Sequence, residues 1–132
     1  MAATDRVTAW GLRSVPGDLR ARYLGDGSWT DDTFATYLDR RAAAAPGLRV
    51  RIWSDERPCT TTVADLHRQA ARVAGGLAAR GVGPGDVIAY QMPNWAETLA
   101  VIWAGFRLGA TVVPIIHFYG PDEVRFIVRQ SG

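Results

Sequence analysis

Two short apolar segments, Val87-Ile-Ala-Tyr-Gln91 and Thr111-Val-Val-Pro-Ile-Ile116, decide the fold. The segment between them, from Trp95 to about Leu108, carries only two charged side chains, Glu97 and Arg107. A strand, a helix and a second strand with short links are typical of a β–α–β unit, whose strands lie parallel. Because the helix is apolar around most of its circumference, we predict that it is buried on more than one side.

The residues around this unit predict where its elements begin and end. Asn94 follows a strand-breaking Met-Pro pair and is predicted to cap the helix, which then ends at Gly109. Pro114 cannot donate a ladder hydrogen bond, so its strand is predicted to lie near a sheet edge or to end at a cleft. A last helix is predicted to begin at Gly120-Pro-Asp-Glu123. Its predicted inward residues are Val124, Ile127 and Val128.

A β-hairpin is predicted before this unit. Leu48 to Trp53 alternate between apolar and polar or bulky residues, and Arg57 to Thr61 return as a second strand. Thr62-Val-Ala-Asp65 is a helix-capping pattern. The helix that it opens carries an apolar stripe of Leu66, Ala70, Val73 and Leu77. We therefore predict an α/β fold in which the hairpin and the parallel unit form one mixed sheet flanked by helices.

The first residues differ in character from the rest. Residues 1–29 are rich in Gly, Arg and Asp and predict an irregular arm with a short helix near Asp18 to Tyr23. The domain proper is predicted over residues 30–132. It opens with a helix that is capped by Thr30 or Asp31 and ends before Pro46. A sheet of only two parallel strands has exposed flanks, whereas parallel sheets are normally covered by further neighbours. The domain is therefore predicted to be the truncated part of a larger one.

Composition excludes several classes of function. The chain has 132 residues, enough for one domain, and its 15 basic and 13 acidic residues are evenly spread, so nucleic-acid binding is not predicted. All basic residues are Arg. Without Lys there is no P-loop lysine and no Schiff-base chemistry. No metal-ligand spacing is visible, and Cys59, the only cysteine, is predicted to be a half-buried structural residue.

The location of the protein is predicted from the same residues. The N-terminus has no apolar signal-peptide region, and the longest apolar run, Leu99 to Phe106, is far shorter than a membrane span. A single cysteine suits a reducing compartment. We therefore predict a cytoplasmic protein without a transmembrane segment.

The glycine-rich stretch Gly81-Val-Gly-Pro-Gly-Asp86 is either a phosphate-binding loop or a simple turn. A phosphate-binding loop leaves a strand and opens a helix. This stretch leaves a predicted helix and enters a predicted strand. It is therefore interpreted as a helix-to-strand turn.

The order of these segments resembles the opening of the AMP-forming acyl-CoA synthetases, within the acyl-adenylate-forming enzymes. The stretches that carry the resemblance are Thr62-Val-Ala-Asp-Leu66, Val73-Ala-Gly-Gly-Leu77, Gly81-Val-Gly-Pro-Gly-Asp-Val-Ile88, Gln91-Met-Pro-Asn-Trp-Ala-Glu97, Gly105-Phe-Arg-Leu-Gly-Ala-Thr-Val-Val-Pro114 and Pro121-Asp-Glu-Val-Arg-Phe126. The resemblance covers about residues 30–132 and is closest to fatty-acid or cyclohexanecarboxylate CoA ligases.

This resemblance implies an activity for a longer protein. Such enzymes activate a carboxylic acid with ATP and Mg²⁺ to an acyl-adenylate and then transfer the acyl group to CoA. The phosphate loop, the nucleotide contacts and the catalytic Lys of the family lie downstream of the matched stretch. The chain is therefore expected to be an N-terminal structural segment that has no catalytic residues, binds no cofactor alone and acts with the remainder of the ligase chain.

Four residues are candidates for contact with the substrate. The resemblance places the helix of Trp103 and Phe106 near the acyl-binding region, although both side chains can equally be core residues. His117 and Phe118 directly follow a predicted strand, where ligands of α/β sheets gather, although His117 can equally be an exposed loop residue. His67 is predicted to lie at the surface, and Asp65 to serve as a helix cap.

Two other interpretations remain open on the sequence alone. The chain can be a stand-alone α/β protein-interaction module that pairs through its unfinished sheet edge. A compact nucleotide-binding domain is the other, and the absence of a phosphate loop argues against it.

Overall fold

The computed structural model describes residues 14–132. Its elements are α1 (Gly17–Gly25), α2 (Phe34–Ala44), β1 (Arg49–Ile52), β2 (Cys59–Thr62), α3 (Val63–Ala78), β3 (Val87–Gln91), α4 (Ala96–Leu108), β4 (Thr111–Ile115) and α5 (Pro121–Ser131). α1 confirms the short helix predicted in the arm, whose first thirteen residues lie outside the described part of the chain.

The parallel unit has the predicted topology. β3 and β4 pair in parallel, in a register that runs from Val87 opposite Thr111 to Gln91 opposite Ile115. Within residues 14–132, β4 has no neighbour besides β3, so Pro114 lies on an edge strand as predicted. The α/β class and the β–α–β unit are thereby confirmed.

The hairpin is confirmed as well, with Arg49 opposite Thr62 and Ile52 opposite Cys59 in an antiparallel pair. The predicted single mixed sheet is wrong in one respect, because the described residues form two separate two-stranded sheets. The hairpin contacts the start of α4 through side chains and not through strand pairing. Cys59 is exposed and not half-buried as predicted.

Three contacts make up this junction between the hairpin and α4. The Asn94 side chain donates a hydrogen bond to the Trp53 carbonyl oxygen at 2.8 Å. The Arg57 guanidinium lies 4.2 Å above the Trp95 ring and 3.2 Å from a carboxylate oxygen of Glu97. Asn94 is therefore not the predicted helix cap, since Trp95 occupies the cap position and caps α4 without a side-chain bond.

The core lies between α3, α4 and the parallel strands. Leu66 and Ala70 of α3 are fully buried, which confirms the first half of the predicted stripe, while Val73 and Leu77 are only half-buried. On α4 the buried residues are small: Ala100, Ala104 and Gly105. Small residues allow α3, α4 and the strands to approach closely, so α4 is covered on more than one side.

Capping residues and glycine set the ends of the helices, and the cap of α2 lies at a different residue from the one predicted. α2 is capped by Thr33, whose side chain and that of Thr36 bond each other's backbone N–H, and not by Thr30 or Asp31. The Thr62 hydroxyl accepts a bond from the Asp65 backbone N–H at 3.1 Å, as the capping pattern predicts. Gly109 ends α4 with a left-handed φ of 66°.

α5 is covered on only part of its surface. Val124 and Ile127 are half-buried, but Val128 is 47% exposed, so its predicted inward position is wrong. Phe126 is 64% exposed. The reason is that α5 lies mainly beside β4, and no other described element covers its outer face.

No helix within residues 14–132 combines the length and the apolar character needed to cross a bilayer.

Candidate functional site

A groove of about 370 Å³ lies at the carboxyl ends of β3 and β4. Its lining residues are Tyr90, Met92, Pro93, Asn94, Thr98, Pro114, Ile115, Ile116 and His117. Ligands of open α/β sheets bind at this end of the strands. The lining is mainly apolar, with a few polar groups at its border, which suits an organic molecule with one polar end.

The groove is built where both strands stop and α4 begins. The Thr98 hydroxyl donates a hydrogen bond to the Pro93 carbonyl oxygen at 2.8 Å, which joins the first turn of α4 to the segment after β3. Burial raises the pKa of the Tyr90 phenol above its usual range. A tyrosine is already protonated at neutral pH, and this shift leaves Tyr90 with a neutral hydroxyl.

The structure places His117, a predicted site residue, among the residues that line the groove. Its ring meets the Phe118 ring edge-on, with 5.3 Å between centroids. Phe118 is 73% exposed and is not among the residues that line the groove. These two predicted site residues are therefore in contact, but only His117 lines the groove.

Trp103 and Phe106 are half-buried on α4, and neither is among the residues that line the groove. The Phe106 ring stacks on Phe34 of α2, with 4.8 Å between centroids. The Gly109 carbonyl accepts a hydrogen bond from the Gly85 N–H, so the last turn of α4 lies at the amino end of β3. Eight residues separate Phe106 from Thr98, or about 12 Å along a helix. The structure thus does not bring Phe106 together with His117.

Gln91 is a groove-associated residue that sequence reasoning missed. It is the last residue of β3, and its side-chain nitrogen lies 2.8 Å from the Tyr119 carbonyl oxygen and 3.1 Å from that of Ile116. The bonds connect β3 to the segment that follows β4. No local pattern indicates them, because the partners lie 25 to 28 residues further along the chain.

A second unpredicted arrangement connects three helices. His67 Nε2 of α3 lies 2.9 Å from Asp39 Oδ1 of α2 and 3.0 Å from an Arg107 guanidinium nitrogen of α4. Arg107 also contacts the same Asp39 oxygen at 3.0 Å. The His67 side chain is 29% exposed, so the predicted surface residue takes part in helix packing. The Arg107 and Asp39 charges are thereby paired with each other.

The described residues do not fit a triphosphate or its metal ion. In the turn between α3 and β3, the Asp86 carboxylate accepts a bond from the Gly83 backbone N–H at 2.8 Å. A carboxylate in this place occupies a donor that a phosphate needs and repels the phosphate charge. The chain has no Lys, and across residues 14–132 no group of three or more potential metal ligands comes together. We therefore derive no phosphoryl-transfer step from these residues.

Comparison with known proteins decides the family. Residues 38–132, more than half of the chain, match the sequence profile of the AMP-binding enzymes. The chain belongs to the AMP-binding enzyme family. The α/β fold with its parallel β3–β4 pair agrees with this family.

Three AMP-binding relatives show the extent of the similarity. The chain is 29% identical to the medium-chain fatty-acid–CoA ligase of Escherichia coli K12 over 111 residues, which are 84% of this chain and 19% of that ligase. Mycobacterium smegmatis MbtA, in its apo structure, superposes with a TM-score of 0.78 at 28% identity, over 93% of this chain and 23% of MbtA. The O-succinylbenzoate coenzyme A synthetase MenE from Bacillus subtilis, in complex with ATP and magnesium, superposes with a TM-score of 0.67 at 31% identity. That match covers 78% of this chain and 27% of MenE. The chain thus spans about a fifth to a quarter of the length of these relatives.

Proposed function

We propose that this chain forms the N-terminal structural segment of an acid–CoA ligase. The whole protein would activate a carboxylic acid with ATP and Mg²⁺ to an acyl-adenylate and transfer the acyl group to CoA. The observation that carries the proposal is the family match over residues 38–132, in a chain that spans 19% of a ligase of this kind.

The proposed substrate is a fatty or alicyclic acid. The apolar groove at the ends of β3 and β4 offers room for an alkyl part, and the His117 imidazole at its border can donate a hydrogen bond to a carboxylate. Phe118 extends this rim. Trp103 and Phe106 are assigned to the packing of α4, because Phe106 stacks on Phe34. One relative named above is a ligase of medium-chain fatty acids, which supports the fatty-acid choice.

We further propose that the 132-residue chain alone does not adenylate acids. Its residues offer neither a Lys nor a free phosphate loop, so ATP, Mg²⁺ and CoA would be bound by further parts of the ligase. The proposed partner of this segment is that remaining ligase chain. Phe126 and Val128 on the uncovered face of α5, and the open edge of β4, are suitable contacts for it. In this proposal the ligase acts in the cytoplasm, where a single cysteine stays reduced.

Pyrophosphate release tests the proposal. The purified chain is incubated with ATP, Mg²⁺ and either octanoate or cyclohexanecarboxylate, and we expect no turnover. Turnover by the chain alone would contradict the structural role. The coding DNA beyond Gly132 is expected to encode a Ser/Thr/Gly-rich phosphate loop, and the protein expressed from the longer frame should release pyrophosphate and form the acyl-CoA.

The stand-alone interaction module is the second candidate, and the uncovered apolar face of α5 is the observation in its favour. A stop codon directly after Gly132, together with a stable complex between the chain and an unrelated protein, would favour the module. A longer frame with the phosphate loop would favour the ligase.

A further inference from the structure

The segment between β4 and α5 depends on one side chain from β3. The Gln91 carboxamide nitrogen lies 2.8, 3.1 and 3.4 Å from the carbonyl oxygens of Tyr119, Ile116 and His117. A carboxamide has two N–H donors. The two shorter contacts are therefore ordinary hydrogen bonds, and the third is a weak, shared one. A single side chain thus connects the end of β3 to three carbonyls of one turn.

Little else holds this turn. Its own backbone contributes one hydrogen bond, from the Tyr119 N–H to the Ile116 carbonyl at 3.0 Å. The rings of His117, Phe118 and Tyr119 are exposed and contact one another, so burial does not fix them. Within the described part of the chain, no side chain other than Gln91 is hydrogen-bonded to the turn.

The turn is also one wall of the groove. Ile116 and His117 line the groove together with Met92, Pro93 and Thr98, which belong to the segment after β3 and to α4. Gln91 is the last residue of β3, directly before Met92, and it pairs with Ile115, directly before Ile116. The Gln91 side chain therefore connects the Ile116–His117 wall to the end of β3, directly beyond the ladder pair of Gln91 and Ile115.

We propose that Gln91 is a positioning residue, which holds the turn of residues 116–119 so that the His117 imidazole stands at the border of the groove and can donate a hydrogen bond to a carboxylic acid. The identity of the ligand, a carboxylic acid, rests on the proposed function. The position of the turn rests on the Gln91 hydrogen bonds alone. Gln91 itself does not contact the acid.

Two substitutions remove the donors and keep the size of the side chain. Gln91→Met has a similar length without an N–H, and Gln91→Glu has the same shape but turns a negative charge toward the carbonyl oxygens. The matched controls are Gln69→Met and Gln69→Glu on the exposed surface of α3, where the side chain makes no hydrogen bond among residues 14–132. If Gln91→Glu does not fold, Gln91→Met carries the same test.

Hydrogen exchange and NMR titration measure the effect on the whole 132-residue chain. We expect the Tyr119 backbone amide to exchange about 2- to 10-fold faster in the Gln91 variants, the loss that one ordinary hydrogen bond corresponds to. Amides in the core of α3 and α4 should be unchanged. Octanoate, followed by the Cε1–H resonance of His117, should bind the wild-type chain and bind the Gln91 variants about 2- to 10-fold more weakly for the same reason. The Gln69 controls should resemble the wild type.

Each other outcome contradicts a distinct claim. Unchanged Tyr119 exchange and His117 signals in Gln91→Met would overturn the positioning role. Faster exchange throughout the chain would also overturn it, since Gln91 would then act on global stability alone. If the turn opens as expected but octanoate does not bind the wild type, the proposed substrate class is wrong and Gln91 still positions the turn.

Discussion

Gly105 on α4 offers the sharpest test of how the core is assembled. A Cβ atom added at Gly105 would overlap Val112 Cγ2 of β4 and would meet Ile88 Cδ1 of β3 at 3.5 Å. Val112 is β-branched and therefore stiff at χ1, so it cannot easily move aside. Overpacking of this kind costs about 1–3 kcal/mol. Ala gains roughly 1 kcal/mol over Gly in a helix. The expected net effect of Gly105→Ala is a loss of about 1 kcal/mol, reaching about 2 kcal/mol if α4 must shift.

Urea unfolding followed by fluorescence of the five Trp residues measures this loss. Gly75→Ala on α3 is the matched control, because no atom lies within 4 Å of the added Cβ. It should raise the free energy of unfolding by about 0.5–1 kcal/mol through helix propensity alone. Adding Val112→Ala should recover part of the loss at Gly105. If Gly105→Ala is as stabilising as Gly75→Ala, the close contact between α4 and the strands is not as the structure has it.

Two further predictions concern local electrostatics and capping. Thr62→Ala removes the hydroxyl that caps α3 and should lower the free energy of unfolding by about 1 kcal/mol, whereas Thr60→Ala, without such a bond, should change it less. The hydrogen bond from Arg40 holds the pKa of the Asp32 carboxyl below its usual range. The resulting stabilisation is present above the unfolded pKa of about 4 and is lost as the pH falls through the lower folded pKa. In Arg40→Gln the Asp32 pKa should rise toward 4, as followed by NMR titration of its carboxyl carbon, and an unchanged pKa would exclude Arg40 as the cause.

Local elements were predictable because their signals lie within a few residues. The alternation of Leu48 to Trp53, the capping pattern at Thr62 and the stop at Gly109 each act on neighbouring backbone groups, and each element formed. The error in the predicted cap of α2 was a shift of a few residues along the chain. Thr33 lies two to three residues beyond the predicted cap and makes a reciprocal bond with Thr36 that neither Thr30 nor Asp31 makes.

Side-chain burial was less predictable because it depends on what lies opposite. Val128 has the spacing of an inward residue, but among the described elements α5 has β4 as its main neighbour, and the Val128 side chain stays exposed. Asn94 has the residue type of a cap, yet its amide bonds the hairpin 41 residues away. Of the candidate site, the position of His117 after β4 was predictable from topology. Phe106 stacks on Phe34 of α2 and does not line the groove. The periodicity of α4 alone does not predict this partner, because Phe34 belongs to a different helix.

The sequence by itself determined the order of the helices and strands, the parallel β3–β4 unit and the lack of a Lys for phosphate chemistry. These follow from periodicity, turn residues and composition, which are local or global properties of the chain. Only the tertiary structure decided that Gln91 holds the turn at Ile116 and Tyr119, and that Asp39, His67 and Arg107 meet across three helices. Such contacts join residues from 25 positions apart, as for Gln91 and Ile116, to 68 positions apart, as for Asp39 and Arg107, and the packing of α4 against the strands and helices selects them.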